Sequence, residues 1–380
     1  MKRISQFILL TIFSVCSMSV YAEITNDKTA GIVKQSISTV MQQYHIPGMA
    51  VELYVEGKPY AYYFGYANQT KKIPVSAKTI FELGSLSKLM TSLLLAQEID
   101  IAKMNLSDPI TKYLPDLSQD FSDINLQSLA THTSGLPFTV PKEVTTVPAL
   151  HQYLAHWSPD DAPGEQWLYS NFGIGMLGYA LENSTHHPFN QLYRRHILNP
   201  LGMQAIGTQI PRMLKKYAAQ GYDENGNAVR SVETGVFPTA YAVKASANDM
   251  QHFLSAAIGL PGTSDRIFYP MRMTQTAYVQ IGDKMQGLGW QIQDMTSANQ
   301  INLLHTNEPN IDPIEVDEIY DKPTFNGDAL IDKTGSTNGF RAYIAVIPNK
   351  KSGIVMLANK YVPMSVIVDT AREILFKTTT

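Results

Sequence analysis

Ser85 and Lys88 place a hydroxyl and an amine three residues apart, directly before the apolar run LMTSLLLAQEI. That run predicts a buried helix, and residues three apart on a helix share one face. If Ser85 opens the helix, its oxygen lies beside the Lys88 amine and near the unpaired N–H groups of the first turn. A serine attacks as a nucleophile once a base takes its proton, and a buried lysine can serve as that base when it is neutral. The spacing therefore indicates serine acyl transfer, although an isolated SxxK string is a weak signal.

A second string, Tyr169 to Asn171, places a phenol two residues from a carboxamide. It follows the turn residues DDAPGE and precedes a glycine-spaced apolar helix. Near Lys88 and Lys333 the pKa of the Tyr169 phenol would fall, so that it could carry protons, and Asn171 would then hold a substrate amide. The structural alternative is a packed tyrosine ring, with Asn171 as the cap of the next helix.

A third string begins at Lys333 within a stretch that predicts three strands joined by turns, ALIDKTGSTNGFRAYIAVIPNKKSGIVMLAN. An edge strand carrying Lys333, Thr334 and Ser336 would offer charge, hydroxyls and backbone N–H groups to an extended substrate. The backbone N–H groups of Ser85 and Ser336 would form an oxyanion hole. The alternative for Gly335 is a plain strand bulge, which leaves the lysine unexplained.

These strings, with IFELGSLSK, SLATHTSGLP, APGEQWLYSN, PTAYAVKAS and KTGSTNGF, resemble the class C serine β-lactamases and their penicillin-binding DD-peptidase relatives. The matching strings run from about Pro47 to about Ile374. The resemblance implies hydrolysis of β-lactams through an acyl-enzyme, with Ser85 as the nucleophile. The other implied catalytic residues are Lys88, Tyr169 and Lys333, and the implied substrate-binding residues are Asn171, Thr334, Gly335, Ser336 and Tyr241.

The chain departs from the family pattern near this site. Ala155 stands where class C enzymes usually carry a glutamine, and Tyr361, Met364 and Ile367 replace asparagines and an arginine that help hold the substrate carboxylate. Each lost hydrogen bond to a charged group costs about 1.5 to 3 kcal/mol. Arg341, where the family generally has a small residue, would partly replace that anchor if it reached the cleft. The alternative is an exposed arginine on the outer face of a strand.

The order of predicted elements indicates the fold. A helix is expected over residues 30–44, followed by a hairpin with its turn at Gly57 to Pro59. The pattern is mainly helical from about Leu93 to Ile210, and strands return before a terminal helix around residues 366–376. We therefore predict an α/β fold of the β-lactamase/transpeptidase type, with an antiparallel sheet that is flanked by helices and built from both chain ends.

An all-helical domain would be inserted into this sheet domain, with the site in the groove between them. The predicted boundaries are 23–95 with 215–380 for the discontinuous α/β domain and 96–214 for the helical domain. The acidic segment from His305 to Pro323 predicts a solvated loop near the rim of the cleft.

Residues 1–22 combine a basic start, an apolar stretch and the ending VYA, which predicts a signal peptide removed after about Ala22 and no remaining membrane anchor. The only cysteine, Cys16, would be removed with it, so we expect no disulfide. The chain has 30 basic and 33 acidic residues and no basic patch that indicates nucleic acid. We expect a periplasmic monomer that acts on a small-molecule β-lactam.

Other chemistries lack their motifs. The nine histidines occur without an HExxH string or a cysteine partner, so we expect no metal and no cofactor. No GxSxG string marks an α/β-hydrolase nucleophile. A DD-peptidase or esterase with slow β-lactam turnover stays open, because the motifs describe acylation only. A non-catalytic binding protein, such as a peptidoglycan sensor, also stays open, although the four reactive side chains argue against it.

Overall fold

A computed structural model describes residues 28–158, 161–204, 207–231, 235–295 and 312–379. The predicted signal peptide, Cys16 and residues 305–311 of the acidic segment lie outside the described residues. The helices are α1 (Lys28–Tyr44), α2 (Ser87–Asp100), α3 (Leu126–Thr131), α4 (Val147–Leu154), α5 (Asn171–Thr185), α6 (Phe189–Tyr193), α7 (Asn199–Leu201), α8 (Pro238–Tyr241), α9 (Ala247–Ile258), α10 (Asp265–Thr274) and α11 (Met364–Thr379).

Most strands belong to one antiparallel sheet. The strands are β1 (Gly48–Val55), β2 (Lys58–Asn68), β3 (Ile73–Pro74), β4 (Ile80–Glu82), β5 (Gln166–Trp167), β6 (Gly221–Tyr222), β7 (Ala228–Val229), β8 (Lys244–Ser246), β9 (Ala277–Ile281), β10 (Lys284–Gln286), β11 (Gln291–Gln293), β12 (Ile314–Glu315), β13 (Glu318–Thr324), β14 (Leu330–Thr337), β15 (Phe340–Ile347) and β16 (Ser352–Ala358). Ten of them form the large sheet in the order β13-β9-β10-β11-β14-β15-β16-β1-β2-β3. The sheet therefore joins both chain ends.

The centre of the sheet is buried on both faces, which explains why β15 and β16 read as nearly continuous apolar runs. Alternate residues of a strand point to opposite faces, so β15 contributes to two cores. The core on the α2 side contains Phe340, Ala342, Ile344 and Val346, and the core under α1 and α11 contains Tyr343, Ala345 and Ile347. The two layers of helices thus hold the central strands between them.

The predicted α/β fold is confirmed, including the first helix, the hairpin after it and the terminal helix. The boundaries of the two domains stay a prediction. One expectation is wrong: the described part of the acidic segment forms β12 and β13 rather than a loop. β13 lies at the edge of the large sheet, and its side chains are mostly exposed. Charged residues suit an edge strand because they discourage pairing with other chains.

The strand that carries Lys333 also differs from expectation. β14 lies inside the sheet between β11 and β15, so it is not an edge strand. Only residues 330–332 pair with the short β11, however, and the strand from Lys333 onward runs past the end of that neighbour. Gly335 keeps a regular register with Ala342, so it is not a bulge. A Cβ atom on Gly335 would overlap the carbonyl oxygen of Leu83. Only glycine therefore fits where the two backbone segments approach each other so closely.

Candidate active site

The nucleophile candidate Ser85 lies in a 3-10 turn, Gly84–Leu86, that leads directly into α2. Ser87 holds the turn in place, because its hydroxyl donates to the Gly84 carbonyl at 2.6 Å and accepts from the Val243 N–H at 3.0 Å. Gly84 has a φ of +52°, and a Cβ atom there would lie 2.5 Å from the backbone nitrogen of Ser336. The backbones of Ser85 and Ser336 are therefore brought together at the start of α2.

Lys88 is fully buried one turn along from Ser85. Its Nζ donates to the Ser85 Oγ at 3.1 Å, to the Asn171 Oδ1 at 2.6 Å and to the Ala240 carbonyl at 2.9 Å. Burial lowers the pKa of the Lys88 amine to about 8, with Tyr169 opposing this shift and Lys333 adding to it. At neutral pH the amine is still mostly protonated, so it supplies a charge beside the serine as well as a potential proton.

Tyr169 lies between the two lysines, and its hydroxyl is buried. The Lys88 Nζ lies 4.8 Å and the Lys333 Nζ 4.9 Å from the centroid of its ring. Burial alone would raise the pKa of the phenol, but Lys333 and Lys88 outweigh burial and lower that pKa to about 7. Phenol and phenolate are thus both populated at neutral pH.

The Ser85 hydroxyl contributes a smaller part of the same lowering of the Tyr169 pKa. Among the described residues, however, the phenol oxygen makes no hydrogen bond of standard geometry. We attribute the lowered pKa mainly to the two positive charges, since charge acts over a longer range than an aligned hydrogen bond. The phenolate form would be a proton acceptor within the same cluster as Ser85.

His132 is a member of the cluster that the sequence did not single out. It is buried, and its ring centroid lies 4.5 Å from that of Tyr169. Its Nδ1 accepts the backbone N–H of Ser170 at 3.2 Å. Burial and the charges of Lys88 and Lys333 hold the pKa of His132 well below its ordinary value, so the ring is neutral. His132 therefore forms an uncharged aromatic wall behind Tyr169.

Ser170 fixes the backbone between Tyr169 and Asn171. Its Oγ accepts the Gly173 N–H at 2.8 Å and donates to the Pro137 carbonyl at 2.7 Å. Ser170 is thus the N-cap of α5, and the alternative in which Asn171 caps that helix is wrong. Asn171 is the first residue of α5 instead, which aims its carboxamide oxygen at the Lys88 amine.

The remaining predicted residues lie around this cluster. The Lys333 Nζ donates to the Thr334 carbonyl at 2.9 Å, while Thr334 is partly buried and Ser336 is exposed. Tyr241 ends α8 and follows Ala240, whose carbonyl accepts from Lys88. The structure thus brings Ser85, Lys88, Asn171, Tyr169 and Lys333 into one cluster, with Ser336 beside Ser85 and Tyr241 one residue from the Lys88 contact.

The residues that depart from the family pattern take different positions. Ala155 is exposed at the end of α4, and Met364 and Ile367 are buried in the core beneath α11. Tyr361 is 41% exposed and covers the guanidinium of Arg341. Arg341 is only 4% exposed, so the alternative of an exposed arginine on an outer face is wrong.

Within the described ranges, no group of three or more His, Cys, Asp or Glu residues is arranged to hold a metal ion. In the same part of the chain, every helix is too short or too polar to cross a membrane.

Comparison with known proteins places the chain in a family. The Beta-lactamase family model matches residues 33–377. A β-lactamase of Escherichia coli (strain K12) is 36% identical over 378 residues, which cover 96% of this chain and 97% of that protein. A class C β-lactamase mutant superposes with a TM-score of 0.89 at 31% identity, covering 94% of this chain and 99% of that chain. A β-lactamase/D-alanine carboxypeptidase from Pseudomonas syringae gives a TM-score of 0.87 at 31% identity, covering 92% and 98%.

The chain therefore belongs to the beta-lactamase family. Its relatives and its class C structural neighbours support a serine β-lactamase that hydrolyses the β-lactam amide, as the sequence resemblance implied. The likeness to a protein described as both a β-lactamase and a D-alanine carboxypeptidase is consistent with the peptidase alternative.

Proposed function

We propose that Ser85 is the nucleophile of β-lactam hydrolysis in this protein. Its Oγ attacks the carbonyl carbon of the lactam, the C–N bond breaks, and the ring nitrogen takes up a proton. Water then hydrolyses the resulting ester, which releases the ring-opened acid and restores the serine hydroxyl. This proposal is supported by the 3.1 Å contact between the Ser85 Oγ and the buried Lys88 amine.

Tyr169 and Lys88 carry the protons of this cycle. The phenolate of Tyr169 accepts the serine proton, because its lowered pKa of about 7 makes it available as a base at neutral pH. Lys88 is mostly protonated at that pH and stabilises the phenolate and the developing negative charge. The same pair returns a proton to the leaving nitrogen and activates water in the second step. Two coupled groups titrate together, so measured pKa values belong to the pair.

The substrate is held from both sides of the cleft. The N–H groups of Ser85 and Ser336 face the carbonyl oxygen, because Gly84 lets the two backbones approach closely. Lys333 and Thr334 bind the substrate carboxylate. The oxygen of the Asn171 amide is occupied by Lys88, so its NH2 group donates to the carbonyl of the substrate side chain. Tyr241 forms a wall of the pocket for that side chain.

The main support for this proposal is that two amines and a phenol lie close to one serine hydroxyl, which is the arrangement that acyl transfer requires. These groups belong to Lys88, Lys333, Tyr169 and Ser85.

We also propose the division into an α/β domain (23–95 with 215–380) and a helical domain (96–214), with the site between them. We further propose that residues 1–22 are a signal peptide and that the enzyme is exported to the periplasm. There it would act as a monomer and confer antibiotic resistance.

Burst and steady-state kinetics on a penicillin, a cephalosporin and a D-Ala-D-Ala peptide test this function. We expect repeated turnover of at least one β-lactam and its loss in Ser85→Ala. Ser92→Ala is the matched control, because Ser92 is a buried serine of α2 that lies outside the cluster. A single stoichiometric burst with β-lactams and turnover of the peptide would favour the DD-peptidase. Failure of a fluorescent penicillin to label the protein would favour a binding protein.

A further inference from the structure

Arg341 is a buried cation beside the proposed subsite for the substrate carboxylate. It pairs with Ser336 in the β14–β15 register, so the two side chains share one face of the sheet. The Arg341 Nη1 donates to the Ser336 Oγ, and the Nε donates to the Val362 carbonyl at 2.6 Å. Longer bonds of 3.3 Å run from Nη1 to the carbonyls of Thr337 and Phe340. The guanidinium is thus fixed by several acceptors.

The ring of Tyr361 closes the other side of this arginine. The guanidinium carbon lies 3.6 Å from the ring centroid, a stacking distance at which a planar cation interacts favourably with an aromatic face. Tyr361 therefore shields Arg341 from solvent, and a shielded charge acts more strongly on its neighbours than one in water.

The contact with Arg341 determines how the Ser336 hydroxyl can be used. Because Ser336 accepts a hydrogen bond from the guanidinium, its own O–H is left to donate in another direction, and Ser336 is exposed at the cleft. A hydroxyl that accepts from a cation is a stronger donor, and hydrogen bonds to a carboxylate are among the strong ones. Ser336 follows Lys333 and Thr334 on the same strand.

We propose that Arg341, acting through the Ser336 hydroxyl, completes the subsite for the substrate carboxylate. This deepens the proposed function and rests on it. The arginine comes from β15, whereas Met364 and Ile367 of α11 contribute only apolar side chains to the core. Arg341 is a positioning residue, because it reaches the substrate through Ser336. The substrate class it selects is acyl compounds that carry a free carboxylate near the reacting carbonyl.

The test compares a chromogenic cephalosporin that has a free carboxylate with its methyl ester, in wild type, Arg341→Met, Arg341→Lys, Ser336→Ala and the double variant Arg341→Met/Ser336→Ala. We expect Arg341→Met to lower kcat/KM for the acid by about tenfold through KM and to change the ester by less than about twofold. Arg341→Lys should recover part of the loss. Arg341→Met should cost little more when Ser336 is already alanine, because the charge then has no hydroxyl to act through.

Arg272→Met is the matched control, because Arg272 also donates to backbone carbonyls, at 3.0 Å to Ala257 and 2.5 Å to Ile258, outside the site. It should not alter the ratio of acid to ester rates. An equal loss on both substrates in Arg341→Met, or additive losses in the double variant, would overturn the proposal. If Arg341→Met does not fold, the ratio of acid to ester rates is measured in Arg341→Lys and Ser336→Ala instead. A ratio that is unchanged from wild type in both variants overturns the proposal.

Failure of the proposed function would give a different result. A wild-type protein that is acylated once without turnover is not a hydrolase of these substrates. The preference for the acid can then still be read from the rates at which the acid and the ester acylate the protein.

Discussion

Replacing Lys333 with methionine tests how the site lowers the pKa of Tyr169. The Lys333 Nζ lies 4.9 Å from the centroid of the Tyr169 ring. With an effective dielectric constant of about 20, two unit charges at this separation interact by roughly 3.4 kcal/mol, which corresponds to about 2.5 pKa units. Since the lysine favours the phenolate, its removal raises the pKa of Tyr169 from about 7 toward that of a free phenol. The phenolate fraction at neutral pH should fall from about one half to roughly one three-hundredth.

The assay is the pH dependence of kcat/KM for one chromogenic cephalosporin. In the wild type, the rate should rise with pH through about 7 as Tyr169 loses its proton, and fall above about 8 as Lys88 loses its charge. In Lys333→Met the phenol titrates above the Lys88 amine, and the lower of the two pKa values then sets the rising limb. That limb should therefore move upward by about one pH unit or more. Lys333→Arg keeps the charge and should leave the limb near its wild-type position.

Lys333 also holds the substrate carboxylate in our account, so Lys333→Met lowers the rate at every pH. The position of the rising limb, and not the height of the profile, is the informative quantity. A limb that stays in place in Lys333→Met would show that the titrating base is not Tyr169, or that Lys333 does not act on it.

Three further substitutions give distinct outcomes. Tyr169→Phe should lower kcat/KM by about 100-fold to 10,000-fold and abolish the rising limb of the pH profile; an unchanged profile would remove the phenolate from the mechanism. Gly335→Ala would press a Cβ atom against the Leu83 carbonyl and should cost about 1 to 3 kcal/mol of stability and most of the activity, whereas Gly31→Ala meets open space and should be neutral or slightly stabilising in thermal melts. Glu52 is fully buried, and burial raises its pKa to about 8. A carboxyl whose pKa is higher in the folded than in the unfolded protein stabilises the fold fully only below the unfolded pKa, and it loses that contribution as pH rises toward 8. In denaturant melts, Glu52→Gln should therefore raise the free energy of unfolding by up to about 3 kcal/mol at pH 7 and leave it unchanged near pH 4. Equal effects at both pH values would contradict a buried neutral carboxyl.

The central part of the site could be predicted because its chemistry is local or follows a strong family pattern. Ser85 and Lys88 meet through helical spacing alone, and the apolar run after them predicted α2. The approach of Tyr169 and Lys333 depends on contacts between distant segments, so it followed from the family resemblance and not from spacing.

Other features follow from tertiary packing, which a single sequence does not reveal. His132 reaches Tyr169 because the chain turns sharply there, with a φ of +63°, and the carbonyl of Ala240 carries no side-chain signal at all. The position of Arg341 depends on the register of β14 with β15. The charge run of β13 is also typical of solvated loops, and only the pairing of this segment with β9 distinguishes a strand from a loop.

The most direct test of the account is mass spectrometry of the protein quenched during reaction with a slowly hydrolysed penicillin. We predict a covalent adduct with the full mass of the penicillin on the peptide that contains Ser85, and none in Ser85→Ala. β-Lactam turnover without any adduct on Ser85, or an adduct on a different residue, would contradict the account.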